Sequence, residues 1–172
     1  SEFALSLNRA RIRGALLMAP RIADKERAGQ LGVRVGDSWT FSSTGQIDLR
    51  DASVGRNVRV CGARLENPGG IALRADALRV GRSLEISRST TPRKARCLVD
   101  GMVSMCNIHV ADRIDLSGTR FRGIPNPEAQ GLIAVKACNT RAGGRLELGK
   151  GMSARGEIDF TESTIKGDVD AT

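Results

Sequence analysis

Aromatic side chains are scarce in this chain: tyrosine is absent, Trp39 is the single tryptophan, and four phenylalanines occur in 172 residues. The core must therefore be aliphatic, and sites that stack sugars or nucleobases on aromatic rings are disfavoured. His109 is the only histidine, so a Ser-His-Asp or Cys-His site would have to use it. Because His109 lies between Ile108 and Val110, alternation predicts that it is an ordinary surface side chain.

Long hydrophobic runs are also missing. The longest run covers residues 15–19 and ends at Pro20, far short of the roughly 20 apolar residues that a membrane-spanning helix needs. The chain begins without methionine or a signal-peptide pattern, and residues 1–3 resemble a cloning scar. We therefore interpret residues 4–172 as a single domain taken from a longer protein.

Four cysteines, at positions 61, 97, 106 and 138, would permit two disulfides. A chain of this length without a secretory signal does not need them, so we expect reduced thiols and a cytoplasmic protein, with a peripheral membrane location left open. Cys97, Cys106, His109 and Cys138 match no zinc-finger or zinc-ribbon spacing. No metal and no cofactor is predicted.

What the chain does contain is a recurring phrase, apolar–x–apolar, followed by a small residue, another apolar residue and often glycine. Its clearest copies begin at Leu5, Ile47, Val58, Ile71, Leu84, Ile114, Leu146 and Ile158. Alternation with period two indicates strands with one buried face, and repetition at short intervals indicates a stack of one small unit. The units are too short for βαβ crossovers.

The repeat predicts an all-β fold, a right-handed parallel β-helix (β-solenoid) of about seven coils. Two units would close a coil of about 22 residues. The rhythm breaks at residues 87–107, which we interpret as an insertion that projects from the stack. A P-loop-like string at 144–150 lacks the Ser or Thr after Lys150, and its Leu146 and Leu148 fit the strand pattern instead.

Four segments carry a family resemblance. They are residues 62–70 (GARLENPGG), 72–76 (ALRAD), 80–84 (VGRSL) and 154–160 (ARGEIDF). These phrases resemble a bacterial β-helix repeat family, related in style to pentapeptide-repeat proteins, whose members are often named membrane-associated oxidoreductase-like. The resemblance implies the repeat architecture over most of residues 5–170 and says little about activity. The chain has no Cys-x-x-Cys and no strand–GxGxxG–helix unit, and its five-residue repeat does not persist.

Carboxylates at β-helix strands raise the question of glycoside hydrolysis, which uses two carboxyl groups about 5–10 Å apart. Asp48, Asp115 and Asp159 each occupy the outward middle position of an apolar–Asp–apolar strand. With so few aromatic residues, we expect these aspartates to be solvated surface groups.

Arginine dominates the positive charge, since only five of the 27 basic residues are lysine and the net charge is +8. Arg11, Arg64 and Arg120 each precede an apolar residue that we place at a corner, which predicts that stacking aligns them in one basic stripe. The remaining candidate residues for binding an anionic partner are Arg9, Arg13, Arg122, Arg88, Arg93, Lys94 and Arg96.

The sequence thus favours a non-catalytic interaction or scaffold module that presents a basic face to an anionic partner. An acidic protein, membrane headgroups and nucleic acid all fit a basic surface. Two alternatives remain open at this point: a β-helix enzyme that uses outward carboxylates, and a structural protein that self-assembles end to end or side by side.

Overall fold

The computed structural model describes residues 3–18, 41–89, 95–127 and 130–172. These residues form 22 short strands and no helix. We number the strands in chain order and assign them to three sheets.

Sheet A has ten described strands: β1 Phe3–Ser6, β4 Ser42–Thr44, β5 Gln46–Asp48, β8 Arg64–Arg74, β11 Cys97–Ser104, β14 Thr119–Arg122, β15 Ile124–Pro125, β16 Leu132–Lys136, β19 Ser153–Arg155 and β20 Glu157–Asp159. Sheet B has six: β2 Arg11–Ile12, β6 Ser53–Val54, β9 Arg79–Val80, β12 His109–Val110, β17 Arg141–Ala142 and β21 Thr164–Ile165. Sheet C has six: β3 Leu16–Leu17, β7 Val58–Cys61, β10 Leu84–Ser87, β13 Ile114–Asp115, β18 Leu146–Glu147 and β22 Val169–Asp170.

The chain visits sheets A, B and C in that order and then repeats the circuit one level further along. Val54 pairs in register with Val80, and Val80 pairs in register with Val110, each on a parallel strand. In the described residues, only the β15–β16 pairing is antiparallel. This all-β arrangement of parallel sheets is consistent with a β-solenoid, and six levels lie within the described residues.

The core consists of inward-facing aliphatic rows that run through the stack. In sheet B the row of Val54, Val80, Val110 and Ala142 is buried, and in sheet C the row of Val58, Leu84, Ile114 and Leu146 is buried. Since neighbouring strands lie about 4.8 Å apart, each side chain in a row packs against its equivalent one level away. All eight predicted strand starts lie in strands, so the sequence-based prediction of strand positions is confirmed.

The circuit itself differs from the prediction. Each level has three sheets rather than two units, and the separation between paired residues of successive levels ranges from 22 residues (Leu98 to Arg120) to 43 residues (Phe3 to Gln46). Phe3, which the sequence suggests is part of a cloning scar, begins β1 and pairs with Gln46. Residues 1 and 2 lie outside the described part.

The proposed insertion at residues 87–107 is narrower than predicted. Residues 97–104 form β11, which pairs with β8 on one side and with β14 and β16 on the other. The repeat is interrupted only in the connection between Ser87 and Cys97. Residues 90–94 of that connection lie outside the described part.

The turn from sheet A to sheet B has one feature in common at all six described levels. One residue in each turn has a positive φ of 52° to 58°: Arg9, Asp51, Ala77, Asn107, Asn139 and Glu162. The residue after it donates its backbone N–H to the carbonyl three positions back in four of the turns, for example Leu78 to Ala75. A positive φ at the third position of such a turn is the feature of type II turns.

Candidate anion-binding face

The predicted basic stripe does not exist as one row. Arg11 lies in β2 of sheet B, whereas Arg64 and Arg120 lie in β8 and β14 of sheet A. Arg64 and Arg120 do share a column of sheet A, but Leu98 stands between them. The prediction is wrong because period-two alternation identifies outward positions without identifying the sheet to which they belong.

Two of the predicted anion-binding arginines form ion pairs with acidic neighbours. Arg64 forms an ion pair with Glu66 at 2.6 Å, and Arg122 forms one with Asp100 at 3.3 Å. Each pair offsets its own charge at the surface of sheet A, whereas Arg120 and Arg155 of the same sheet are exposed and form no ion pair among the described residues.

The other predicted cations are dispersed. Arg9 and Arg13 flank β2 at the first level, and both are exposed. Arg88 and Arg96 are exposed on either side of the break between β10 and β11. Arg93 and Lys94 lie outside the described residues.

Sheet B carries a basic row that the sequence reasoning missed. Arg79, His109 and Arg141 lie in register on β9, β12 and β17, and all three are exposed. The backbone N–H of His109 donates to the Leu78 carbonyl at 3.0 Å, and that of Arg141 donates to the Ile108 carbonyl at 3.0 Å, so the stack fixes both positions. We call these three residues the sheet-B row.

The outward positions of sheet B hold no acidic residue at any described level. The outward positions of sheet B, in stacking order, are Arg11, Ser53, Arg79, His109, Arg141 and Thr164. Among the described residues, neither Arg79 nor Arg141 forms an ion pair. The signal in the sequence was the short phrase before the corner, Arg-Val-Gly at 79–81 and Arg-Ala-Gly at 141–143, which matches Ser-Val-Gly at 53–55.

Sheet C shows the opposite pattern. Its outward positions from the second level onward are Arg59, Glu85, Asp115, Glu147 and Asp170. Arg59 pairs with Glu85 at 2.9 Å and Arg145 pairs with Glu147 at 2.8 Å. Arg113 bridges both glutamates, at 3.4 Å to Glu85 and 3.5 Å to Glu147. Arginine and acid therefore compensate one another across sheet C.

The predicted solvated aspartates are less exposed than expected. Asp48 is 1% exposed and Asp115 is 9% exposed, and only Asp159 is half-buried. Each accepts the backbone N–H two residues ahead, from Arg50, Ser117 and Thr161 respectively. These aspartates are thus turn-stabilising groups, and the expectation of solvation is wrong for Asp48 and Asp115.

Local hydrogen bonds hold two of these carboxylates in the ionised form. Arg50 donates from Nη2 to Asp48 Oδ2 at 2.7 Å, and this contact lowers the pKa of Asp48. The hydroxyl and backbone N–H of Thr161 likewise lower the pKa of Asp159. A general acid needs a raised pKa, so neither aspartate has the environment of one.

The cysteines correct the prediction of reduced thiols. Cys106 and Cys138 form a disulfide with a Cα–Cα distance of 4.7 Å. They occupy the same place in successive A-to-B turns, and the level spacing of the stack brings their Cα atoms within the range that disulfides require. Two of the four residues considered as zinc ligands, Cys106 and Cys138, are therefore in a disulfide and have no thiolate to offer a metal. His109 is exposed, as predicted.

Cys61 and Cys97 are free thiols. Burial raises the pKa of Cys61, and it raises the pKa of the buried Cys97 to about 12. Because the thiolate is the nucleophile, both environments disfavour a catalytic cysteine. Across residues 3–18, 41–89, 95–127 and 130–172, no three His, Cys, Asp or Glu side chains converge as metal ligands would.

No protein-family model matches this chain, and neither a curated protein nor a solved structure does. The described residues contain no helix of the length and apolarity needed to cross a membrane.

Proposed function

We propose that this chain is a non-catalytic module, built as a right-handed β-solenoid, that presents sheet B to an anionic macromolecule. The observation that carries the proposal is the sheet-B row, where Arg79, His109 and Arg141 stack in register with no acid above or below them. Arg79 and Arg141 lie two strands apart, which at about 4.8 Å per strand is about 10 Å. An extended anionic partner that lies along the row would contact both guanidinium groups.

The residues around the sheet-B row support this proposal. Arg9, Arg11, Arg13, Arg56 and Lys166 are exposed at the edges of sheet B and at its turns. Acids lie at the same turns: Asp51, Glu162 and Asp168 are exposed, Asp76 pairs with Arg74 at 3.1 Å, and Asp112 accepts a hydrogen bond from the Ser83 hydroxyl at 2.9 Å. The surface therefore keeps an excess of guanidinium groups, which bind phosphate and carboxylate bidentately.

The kind of contact follows from the same residues. The described strands of sheet B contain no Phe, Tyr or Trp, and His109 is their single ring, so a platform of several rings for stacking unpaired bases is lacking there. We infer that the face attracts a polyanion through charge alone, whether the polyanion is an acidic protein, a membrane surface or a nucleic-acid backbone.

The location of the protein remains a prediction. Disulfides are rare in the reducing cytoplasm and persist in oxidising compartments, so the Cys106–Cys138 bridge argues against the reduced state that we first expected. A peripheral association with anionic headgroups fits the proposed face equally well in either compartment.

The test is retention on a heparin column. We expect Arg79→Glu/Arg141→Glu to elute at lower salt than the wild type, because two contacts become repulsive. A matched control, Arg120→Glu/Arg155→Glu, changes the net charge equally at exposed residues of sheet A that form no ion pair among the described residues. If both variants lose retention to the same extent, net charge explains the binding and the proposal fails.

The class of partner is then decided by salt titrations with duplex DNA, phosphatidylglycerol vesicles and poly-glutamate. For DNA, losing two phosphate contacts should reduce the slope of log affinity against log salt by about 1.8. If the wild type binds none of the three at low salt, the sheet-B row is only a solvated face.

A further inference from the structure

A cleft lies beside the basic face, at the corner where the chain passes from sheet B to sheet C. Its volume is about 480 Å³, within the range of small-molecule sites. Four arginines line it, Arg59, Arg82, Arg113 and Arg145, against the two carboxylates of Glu85 and Asp112. Glu147, beside the lining, pairs with Arg113 and Arg145, so Arg82 is the lining guanidinium that has no acidic partner within the described residues.

Two of these arginines have hydrogen-bonding capacity to spare. Arg113 reaches its two glutamates only at 3.4 and 3.5 Å, whereas Arg59 and Arg145 make contacts of 2.9 and 2.8 Å. Arg82 is exposed and forms no ion pair within the described residues. A guanidinium offers five N–H donors, so Arg82 and Arg113 can bind an added anion without giving up a short ion pair.

The acceptors in the same lining define the rest of the ligand. The Glu85 and Asp112 carboxylates accept hydrogen bonds, and the Ser83 hydroxyl both donates and accepts. Asp112 Oδ2 already accepts from Ser83 Oγ at 2.9 Å, which leaves its second oxygen for a ligand hydroxyl. No aromatic ring lines the cleft, which disfavours a nucleobase.

The geometry points to a binding site in this cleft for a small hydroxylated anion, a sugar phosphate or a sugar acid. The anionic group would lie against Arg82 and Arg113, and the ligand hydroxyls would donate to Glu85 and Asp112. The inference does not depend on the proposed function, because the sheet-B row is not part of the cleft lining.

The experiment is an NMR titration of the 18.4 kDa chain with four probes: glucose 6-phosphate, glucuronate, inorganic phosphate and glucose. We expect saturable shifts at the amides of Ser83 and Asp112 with one of the first two probes, and weaker or no shifts with the last two. Glucose 6-phosphate and glucuronate distinguish the two sources of the anionic group.

Two variants locate the binding. Arg82 is exposed and unpaired in the described structure, so Arg82→Glu should fold, and it should weaken binding by at least about tenfold. Arg79→Glu reverses the same charge in the sheet-B row and should leave the affinity unchanged. A preserved amide spectrum verifies that both variants are folded.

Three results would overturn the inference. The first is the absence of saturable shifts with either hydroxylated anion. The second is equal affinity for inorganic phosphate, which would remove the role of Glu85 and Asp112. The third is loss of binding in Arg79→Glu but not in Arg82→Glu, which would place small anions on the sheet-B row and leave the proposed function standing.

Discussion

At the scale of single residues, Asp48 shows how far an outward position can be from solvent. Alternation places it outside the core, yet Arg50 covers it and donates three side-chain hydrogen bonds to its carboxylate. The partners are two positions apart, with Leu49 between them, so both side chains point outward and lie next to each other. Sequence alternation predicts the direction of a side chain but not what lies over it.

The lowered pKa of Asp48 makes stability depend on pH. The Arg50 hydrogen bond favours the ionised carboxylate in the folded chain, so its contribution is present above the ordinary pKa of 3.8 and is lost as pH falls through the lower folded value. We expect Asp48→Asn to reduce the free energy of unfolding by about 2 kcal/mol at pH 7. Urea denaturation should show that difference shrinking toward pH 3.

The exposed neighbour provides the control for this measurement. Asp51→Asn removes an equal charge at a positive-φ turn position that asparagine tolerates, and it should change stability little at either pH. A loss for Asp48→Asn that is the same at pH 7 and pH 3 would contradict the charge-based explanation.

At the scale of elements, the strands were predictable and the turns were not. Eight apolar pairs correctly marked strands because an aliphatic stack needs alternation at each level. The A-to-B turn was hidden because its positive-φ position is occupied by Arg9, Asp51, Ala77 and Glu162 as well as by two asparagines. Asp51, Asn107 and Asn139 carry the usual turn signal, and Asn139 Nδ2 donates a hydrogen bond to Asn107 Oδ1 at 2.7 Å.

The missed turns explain the wrong assignment of equivalent positions. Ile12 and Leu65 both follow arginine and precede a break, so they looked like one repeat position. Ile12 lies in sheet B and Leu65 in sheet A. Without the position of each turn, the sequence does not show how many residues connect one sheet to the next. Arg11 and Arg64, which precede Ile12 and Leu65, therefore could not be assigned to a sheet.

The disulfide joins two of these turns and should stabilise the stack. Cys106 and Cys138 are 32 residues apart, and closing a loop of that size contributes about 4 kcal/mol in the chain-entropy account. We expect Cys106→Ser/Cys138→Ser to lower the melting temperature measured by circular dichroism. Reductant should have the same effect on the wild type and none on the double variant.

The free thiol of Cys61 supplies the comparison. Cys61→Ser keeps the bridge and should retain a melting temperature that falls on reduction. If the wild type melts at the same temperature with and without reductant, the bridge does not stabilise the fold.

At the scale of the whole molecule, charge is sorted by face. The net charge of +8 is known from the sequence, but its placement depends on register. Sheet B exposes Arg79, His109 and Arg141, whereas sheet C compensates its arginines with Glu85 and Glu147. The sequence contains each residue of the candidate face, but their alignment on sheet B could not be predicted without the pairing of the strands.

The stack also predicts how stability is distributed along the molecule. In a repeat array each level contacts only its neighbours, so a level with one neighbour is held more weakly than a level with two. The large hydrophobic side chains with the greatest exposure lie at the two outermost described levels: Phe3, Leu17 and Val169. At the central levels, by contrast, Val80, Val110 and Ile114 are no more than 2% exposed.

We therefore expect amide hydrogen exchange to be slowest in β9 to β13 and faster in β1 to β3 and β20 to β22, because within the described stack an outer level has one interface with another level and a central level has two. Mass-spectrometric exchange resolves these segments, and a uniform rate over all six levels would show that the array opens as one unit. The sheet-B row spans the third, fourth and fifth levels, which places the proposed binding surface on the part of the stack that opens least.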